Sequence, residues 1–306
     1  MFENIIVTLD GSKNAEMVLP YAEEIAGKFN SSVNLVGVVE KKSEPALPLV
    51  STGAENEFKS YFAEVIDRLK KEGKEFGISD SERITSNILY GDIASTILSY
   101  AEESRSGLIA LTAQGASQHN KWSLGSVAAK ILRAARRPVL LVRRNAPEAY
   151  LKENRLIRKI LMPLDGSKLG ETAIPYAETL AQQISAEIVL IHVAEPFDLG
   201  LFHDVPHYPQ SVEDDLTKGM VQERAYLNSK AEAITAKTGV PAATAILKGK
   251  PAQEIAKYAE ENNIDLIAIS THGRTGIANW VFGSVADKTL HFGKTAVLVV
   301  RPQKEK

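Results

Sequence analysis

The sequence predicts an α/β fold with two tandem doubly wound domains, each a five-stranded parallel sheet flanked by helices. Three observations support this. The second half of the chain repeats the first, and each half contains short segments that are almost continuously apolar. These segments alternate with stretches in which apolar residues recur every three or four positions. Such alternation is typical of strands and helices in parallel α/β sheets.

The repeat has the length of a whole domain. The segment VTLDGSKNAEMVLPYAEEIA near the start is matched by MPLDGSKLGETAIPYAETLA in the middle. Asp10 aligns with Asp165 at an offset of 155 (165 − 10), and Gly115 aligns with Gly273 at an offset of 158 (273 − 115). This unit is too long for a solenoid repeat, so the sequence predicts two copies of one domain.

The boundary between the copies is predicted in RRNAPEAYLKENRLIRK, a charged segment that contains a proline. Exposed, charged segments with proline are typical of domain linkers. We therefore expect domain 1 over residues 1–145, a linker over 146–157 and domain 2 over 158–306.

Five apolar segments in each copy predict strands that are buried on both faces. Helical segments such as IASTILSYAEE lie between them. Because strands one and four would be neighbours where the winding reverses, we expect the ligand site at their carboxyl ends. The segments are NIIVTLD, SVNLVGVV, SNILYG, GLIALTA and PVLLVRR in the first copy, and KILMPLD, EIVLIHVA, TAILKG, DLIAIST and AVLVVRP in the second.

The composition narrows the functional class. Hydrophobic residues make up 44% and charged residues 24%, and the formal net charge is −2. A general nucleic-acid binder would carry a basic excess. The chain has no cysteine, which excludes a thiol nucleophile or a thiolate metal site. It also lacks a signal-like N-terminus and any apolar run of about 20 residues. We therefore expect a cytoplasmic protein without nucleic-acid or membrane partners.

Polar and glycine residues follow strands one and four of the second copy. Strand one ends in Asp165, and strand four ends near Ser270, before THGRTGIANWVFGS. Glycines let backbone N–H groups approach an anion and can adopt positive φ. Gly283 and Ser284 lie at the start of a predicted helix, where free N–H groups favour phosphate. An aspartate could accept a hydrogen bond from an adenine amino group or a ribose hydroxyl, so an adenosine phosphate would satisfy the whole set.

Other interpretations of these residues stay open. Asp165 could serve only to orient its turn, and Ser284 could be a simple helix cap. His272 is expected to be structural rather than a base.

No G-x-x-x-x-G-K-[ST], G-x-G-x-x-G or G-x-S-x-G motif occurs, so a P-loop, a dinucleotide fingerprint and a hydrolase elbow are not predicted. The histidines of FHDVPHYP, at residues 202–209, are predicted to lie in a loop rather than in a metal site.

Several motifs together resemble the universal stress protein family. They are a strand ending in Asp-Gly-Ser, the late STHGRTG, the nine residues between Gly273 and Gly283, and a terminal VLVVRP. The resemblance covers nearly the whole chain as two copies. It implies a Rossmann-like fold of the adenine nucleotide alpha hydrolase-like type. ATP-binding members of the family carry G-x2-G-x9-G-[ST]. Here Ser270 and Thr112 replace its first glycine, and Gln114 stands where the second copy has His272.

The resemblance also implies a ligand, ATP or AMP, with Mg2+ held through the phosphates of ATP. Domain 2 is the expected binder. Its implied nucleotide-binding residues are Pro163, Asp165, Val193, Ser270, His272, Gly273, Gly283, Ser284 and Val285. The equivalents in domain 1 are Asp10, Val38, Thr112, Gly115, Gly125 and Ser126.

The sequence leaves more than one function open. The first is a stress-response regulatory protein that binds adenine nucleotide. The alternative is an interaction or dimerisation module with a degenerate site. The family commonly pairs through its last strand, here around 139–142 and 297–300, which implies an intramolecular pseudo-dimer and allows a homodimer. Under the first function hydrolysis, if any, should be slow, because no general base, metal cage or arginine finger is visible. An ATP-using enzyme ranks last, because the sequence shows no substrate domain beyond the two copies. No catalytic residue is predicted.

Overall fold

A computed structural model of the chain describes residues 1–40, 51–72, 83–115, 124–143, 155–194, 210–273 and 282–302. Each copy contributes five strands with helices between them. The first copy contains β1 (Asn4–Thr8), α1 (Lys13–Glu16), α2 (Leu19–Phe29), β2 (Ser32–Val39), α3 (Ser51–Glu72), β3 (Ile84–Tyr90), α4 (Ile93–Glu103), β4 (Leu108–Thr112), α5 (Ser126–Ala134) and β5 (Val139–Val142). The second contains β6 (Lys159–Pro163), a 3-10 helix (Gly170–Ala173), α6 (Ile174–Ile184), β7 (Glu187–Ala194), α7 (Gln210–Thr238), β8 (Ala242–Lys248), α8 (Pro251–Glu261), β9 (Leu266–Ser270), α9 (Ser284–Thr289) and β10 (Ala296–Val300).

The ten strands form one sheet in the order β3-β2-β1-β4-β5-β10-β9-β6-β7-β8. Within each half the strands are parallel, and the first strand lies between the second and the fourth. This arrangement confirms the predicted α/β fold and places strands one and four side by side. The halves join through β5 and β10, which pair antiparallel with Leu298 opposite Leu140. The two last strands therefore pair within the chain.

The strands at the centre of the sheet are apolar because helices cover both faces. Every residue of β4, β5, β9 and β10 is buried. The buried hydrophobic residues form two clusters, one on each face of the sheet. Each cluster includes residues of both copies, so the core is continuous across the junction. None of the helices in the described part of the chain is long and apolar enough to span a membrane.

A buried carboxyl group joins α2 to the segment that leads into the second copy. Glu24 is 1% exposed. One of its carboxyl oxygens accepts hydrogen bonds from the backbone N–H groups of Leu156 at 3.0 Å and Ile157 at 3.1 Å. Burial raises the pKa of Glu24 to about 7, although these N–H groups and the nearby Lys28 oppose the increase. The contact ties the end of the linker region to the first copy.

Candidate functional site

A cavity of about 560 Å³ opens at the carboxyl ends of β6, β7 and β9. The parallel pairing of β6 with β9 and of β6 with β7 brings these three ends together. Helices α7, α8 and α9 supply further walls. All nine residues that the sequence singled out in domain 2 line this cavity: Pro163, Asp165, Val193, Ser270, His272, Gly273, Gly283, Ser284 and Val285.

Asp165 organises the turn that follows β6. Its Oδ1 accepts hydrogen bonds from the Ser167 backbone N–H at 3.0 Å and from the Ser167 hydroxyl at 2.7 Å. The Ser167 Oγ in turn accepts a hydrogen bond at 3.0 Å from the N–H of Gly170, the first residue of the 3-10 helix. Asp165 Oδ2 lies against Gly273, where a β-carbon would overlap it. Asp165 therefore shapes its own turn and also touches the loop after β9.

The glycines of the β9 loop lie where there is little room for a side chain. Neither described loop glycine has a positive φ, since Gly273 and Gly283 are not among the positive-φ glycines and Gly283 has φ −69°. The Gly283 N–H donates to the Thr271 carbonyl at 2.7 Å, and a β-carbon there would lie 3.2 Å from that oxygen. Close backbone approach leaves little room for a side chain. The helix that follows, α9, has only six residues.

Ser270 and Thr112, which stand in place of the family's first glycine, also lack positive φ. Glycine is therefore not required at either position by its conformation. Ser270 is 5% exposed, and its Oγ accepts a hydrogen bond from the His272 N–H at 3.4 Å. His272 lies with Nδ1 2.8 Å from the Thr271 hydroxyl oxygen.

Domain 1 repeats this loop arrangement. Asp10 Oδ1 accepts from the Ser12 N–H at 3.0 Å, and Asp10 Oδ2 lies against Gly115. The Gly125 N–H donates to the Ala113 carbonyl at 2.8 Å, as the Gly283 N–H does to Thr271. The remaining predicted residues of this copy are Val38 on β2, Thr112 at the end of β4 and Ser126 at the start of α5.

The sequence analysis missed a polar pair in the wall of the cavity. His192 on β7 is 5% exposed, and its Nδ1 lies 2.8 Å from the Leu164 carbonyl oxygen. Its Nε2 lies 3.0 Å from Oε1 of Glu223 on α7. Both residues line the cavity. A difference between the two copies could have revealed this pair, because the repeat offset of 155 aligns His192 with Gly37 (192 − 37).

The described residues contain no group of three or more histidine, aspartate or glutamate side chains that could hold a metal ion. The histidines of residues 202–209 lie outside the described residues, as does the middle of the glycine-rich loop, 274–281.

Comparison with known proteins identifies the family. A sequence profile of the universal stress protein family matches residues 1–143 and 156–301. A universal stress protein of Methanocaldococcus jannaschii is 32% identical over 151 residues, which cover 49% of this chain and 86% of that protein. One of Mycobacterium tuberculosis is 23% identical, with 97% of this chain and 96% of that protein covered. The crystal structure of a universal stress protein from Archaeoglobus fulgidus has a TM-score of 0.69 at 20% identity, covering 98% and 99% of the two chains. The chain therefore belongs to the universal stress protein family and contains two tandem copies of its domain.

Proposed function

We propose that domain 2 binds an adenine nucleotide, ATP or AMP, and that the protein acts as a regulatory stress-response protein. The observation that carries this proposal is the cavity of about 560 Å³, which is lined by all nine residues of domain 2 that the family resemblance implies. Its volume falls within the usual range for small-molecule sites, about 300–1,000 Å³. Its position, at the carboxyl ends of neighbouring parallel strands, is where open α/β sheets bind their ligands.

The chemistry of the walls suits a nucleotide. Val193 and Ile255 offer apolar surface to a base, and the Asp165 carboxylate offers hydrogen-bond acceptors to ribose hydroxyls. The backbone at Gly273 and Gly283 can approach phosphate oxygens because neither residue carries a side chain. Mg2+ would be held through the phosphates of ATP, since the described residues supply no cluster of ligands for it.

The lining also suits binding better than catalysis. Among the described residues that line the cavity there is no lysine or arginine. Phosphoryl transfer is accelerated by cations that neutralise charge on the transferred group. We therefore propose that ATP is hydrolysed slowly at most, and that the nucleotide acts by changing the conformation or the partners of the protein.

Two measurements test the proposal. Purified protein is denatured and the supernatant is analysed by mass spectrometry for released adenine nucleotide. Calorimetry then measures ATP and AMP binding to the wild type, to Asp165→Ala and to Gly283→Val, with Asp67→Ala on the exposed side of α3 as the control. We expect both site variants to bind at least about tenfold more weakly and the control to bind normally.

The proposal would be contradicted by a folded wild type that releases no nucleotide on denaturation and binds none of the ATP or AMP that is added. It would favour the alternative, an interaction module in which the paired copies are the functional feature. Equal affinity in the wild type and both site variants would contradict the site while leaving nucleotide binding in place.

A further inference from the structure

The junction of the two half-sheets brings an arginine of each copy to the edge of the sheet where domain 2 has its cavity. β5 and β10 pair antiparallel, with Val299 opposite Val139. The carboxyl end of β10 therefore lies beside the residues that precede β5. Arg301 follows β10, and Arg136 lies three residues before β5 (139 − 136). The carboxyl edge of domain 2 thus receives Arg301 from its own copy and Arg136 from domain 1.

Arg301 lies beside the loop that lines the cavity. The backbone N–H of Thr271, at the start of this loop, donates a hydrogen bond to the Val300 carbonyl oxygen at 2.8 Å, and Thr271 lines the cavity. Val299 belongs to the same buried cluster as Ala286 of α9. Because side chains alternate along a strand, Arg301 is placed on the face of the sheet that α9 covers. This is the face on which α9 begins, next to the glycine loop.

The two arginines act on each other through their charges. Burial and the positive charge of Arg136 both lower the pKa of Arg301. Arg137, between them in the pairing, is instead engaged by Glu102 at 3.3 Å. Arg136 is exposed and Arg301 is partly exposed, so a ligand can approach both from solvent. An anion that contacts both guanidinium groups would offset their mutual repulsion.

The first copy has an equivalent pair of cations at its own edge. The repeat offset of 158 aligns Arg143 with Arg301 (301 − 143) and Arg136 with Lys294 (294 − 136). The same backbone hydrogen bond joins the loop to the last strand in both copies. Nε and Nη2 of Arg143 are buried, however, so the pair in domain 2 is more accessible to a ligand.

The cavity itself supplies little to balance the charge of a phosphate chain. Its described lining contains no lysine or arginine, and the Asp165 carboxylate lies beside Gly273 of the loop. ATP carries more negative charge than AMP, so it gains more from cations placed near the loop. Such cations are available at the junction, just outside the cavity lining.

We propose that Arg136 and Arg301 together bind the terminal phosphates of the nucleotide in domain 2, so that the site prefers ATP to AMP and is completed by a residue of domain 1. The inference rests on the proposed function and deepens it, because it names the form of the nucleotide and the contribution of the other copy. The base and the ribose lie in the cavity, and the phosphate chain extends toward the junction of β5 with β10.

The test compares ATP, AMP and adenosine at low salt. Calorimetry measures their binding to the wild type, Arg136→Gln, Arg301→Gln and the control Lys70→Gln, which removes one positive charge from an exposed position on α3. We expect the wild type and the control to bind ATP at least about tenfold more tightly than AMP. Each arginine variant should lose about three- to tenfold in ATP affinity, because the contact is charged but partly exposed, and should bind adenosine normally.

A conservative variant separates charge from packing. Arg136→Lys should keep most of the preference for ATP, because the equivalent position of the other copy, Lys294, is a lysine. Loss of the preference in Arg136→Lys as complete as in Arg136→Gln would contradict a role for the charge.

A wild type that binds AMP as tightly as ATP would overturn the inference and leave the proposed function in place. Unchanged ATP affinity in both folded arginine variants would also overturn it, and so would an equal loss of affinity for ATP and adenosine. A wild type that binds none of the three ligands would overturn the proposed function as well. Thermal melting shows whether each variant is folded, and the wild-type comparison requires no variant.

Discussion

Asp165 Oδ2 lies where a β-carbon on Gly273 would stand, and Asp10 Oδ2 lies in the same place relative to Gly115 in the other copy. The aspartate after strand one thus restricts the residue in the loop after strand four. In Gly273→Ala the new methyl group would overlap a carboxylate that Ser167 holds in place. We expect a loss of about 1–2 kcal/mol in the free energy of unfolding and weaker ATP binding, measured by chemical denaturation and calorimetry.

The control for this substitution is Gly53→Ala in α3, where a β-carbon meets nothing within 4 Å. Alanine there should leave stability unchanged or increase it by up to about 1 kcal/mol. In the double variant Asp165→Ala/Gly273→Ala the steric penalty should largely vanish, so the two effects on stability should not add. Additive effects would show that the contact does not limit this position.

Gly37 is restricted in the same way by aromatic rings. A β-carbon there would lie 2.6 Å from Phe58 Cε1 and 3.0 Å from Phe62 Cζ. We expect Gly37→Ala to lower the free energy of unfolding by about 1–3 kcal/mol through overpacking, measured by urea denaturation. The penalty should shrink in a Phe58→Ala background, and a penalty of the same size in both backgrounds would refute this explanation.

Glu24 gives the protein a pH-dependent stability. Its pKa is raised from 4.5 to about 7 in the folded state, so between these values the folded state binds more protons than the unfolded state. Stability therefore decreases as the pH rises through this window. The free energy of unfolding of Glu24→Gln should not decrease in this way. Relative to the wild type it should therefore increase by up to about 3 kcal/mol from pH 4.5 to 7.

Urea denaturation at several pH values measures this difference. The exposed Glu103→Gln on α4 is the matched control, and its curve should run parallel to that of the wild type. A Glu24→Gln curve that also runs parallel to the wild type would contradict the assignment.

Leu298 on β10 is 2% exposed and pairs with Leu140 at the junction of the two half-sheets. Leu298→Asp buries an unpaired charge there, and we expect it to destabilise the protein by more than about 3 kcal/mol. Opening the junction would also expose two unpaired strand edges, which favours association between chains. Calorimetry and light scattering after size-exclusion chromatography measure both effects. Leu169→Asp, at a leucine that is 38% exposed, should behave like the wild type, and a monodisperse Leu298→Asp protein of normal stability would contradict the prediction.

The sequence predicted the strands, the neighbouring positions of strands one and four, and the tandem organisation, because strands buried on both faces leave apolar segments that can be recognised directly. Nine of the residues that line the cavity were also predicted, through Asp165, the repeated glycines and the family resemblance. The sequence did not predict why residue 273 is glycine. The atom that leaves no room for a side chain there, Oδ2 of Asp165, belongs to a residue 108 positions earlier (273 − 165).

The contact between His192 and Glu223 was not predicted either, because the two residues are distant in the sequence. Glu223 lies on a long helix rich in charged residues, and nothing in its local pattern separates it from the solvent-exposed glutamates. Only the packing of α7 on β7 brings it to His192. Histidine in a buried strand, where the other copy has glycine, was the one visible sign of this difference.

The antiparallel junction of β5 with β10 has a consequence for how the protein meets other molecules. Because the strands of the two half-sheets run in opposite directions, the carboxyl ends of the strands in one half lie on the opposite side of the common sheet from those in the other half. The cavity of domain 2 and the matching loops of domain 1 therefore face away from each other. A molecule that covers one of these two sides of the sheet therefore leaves the other side uncovered.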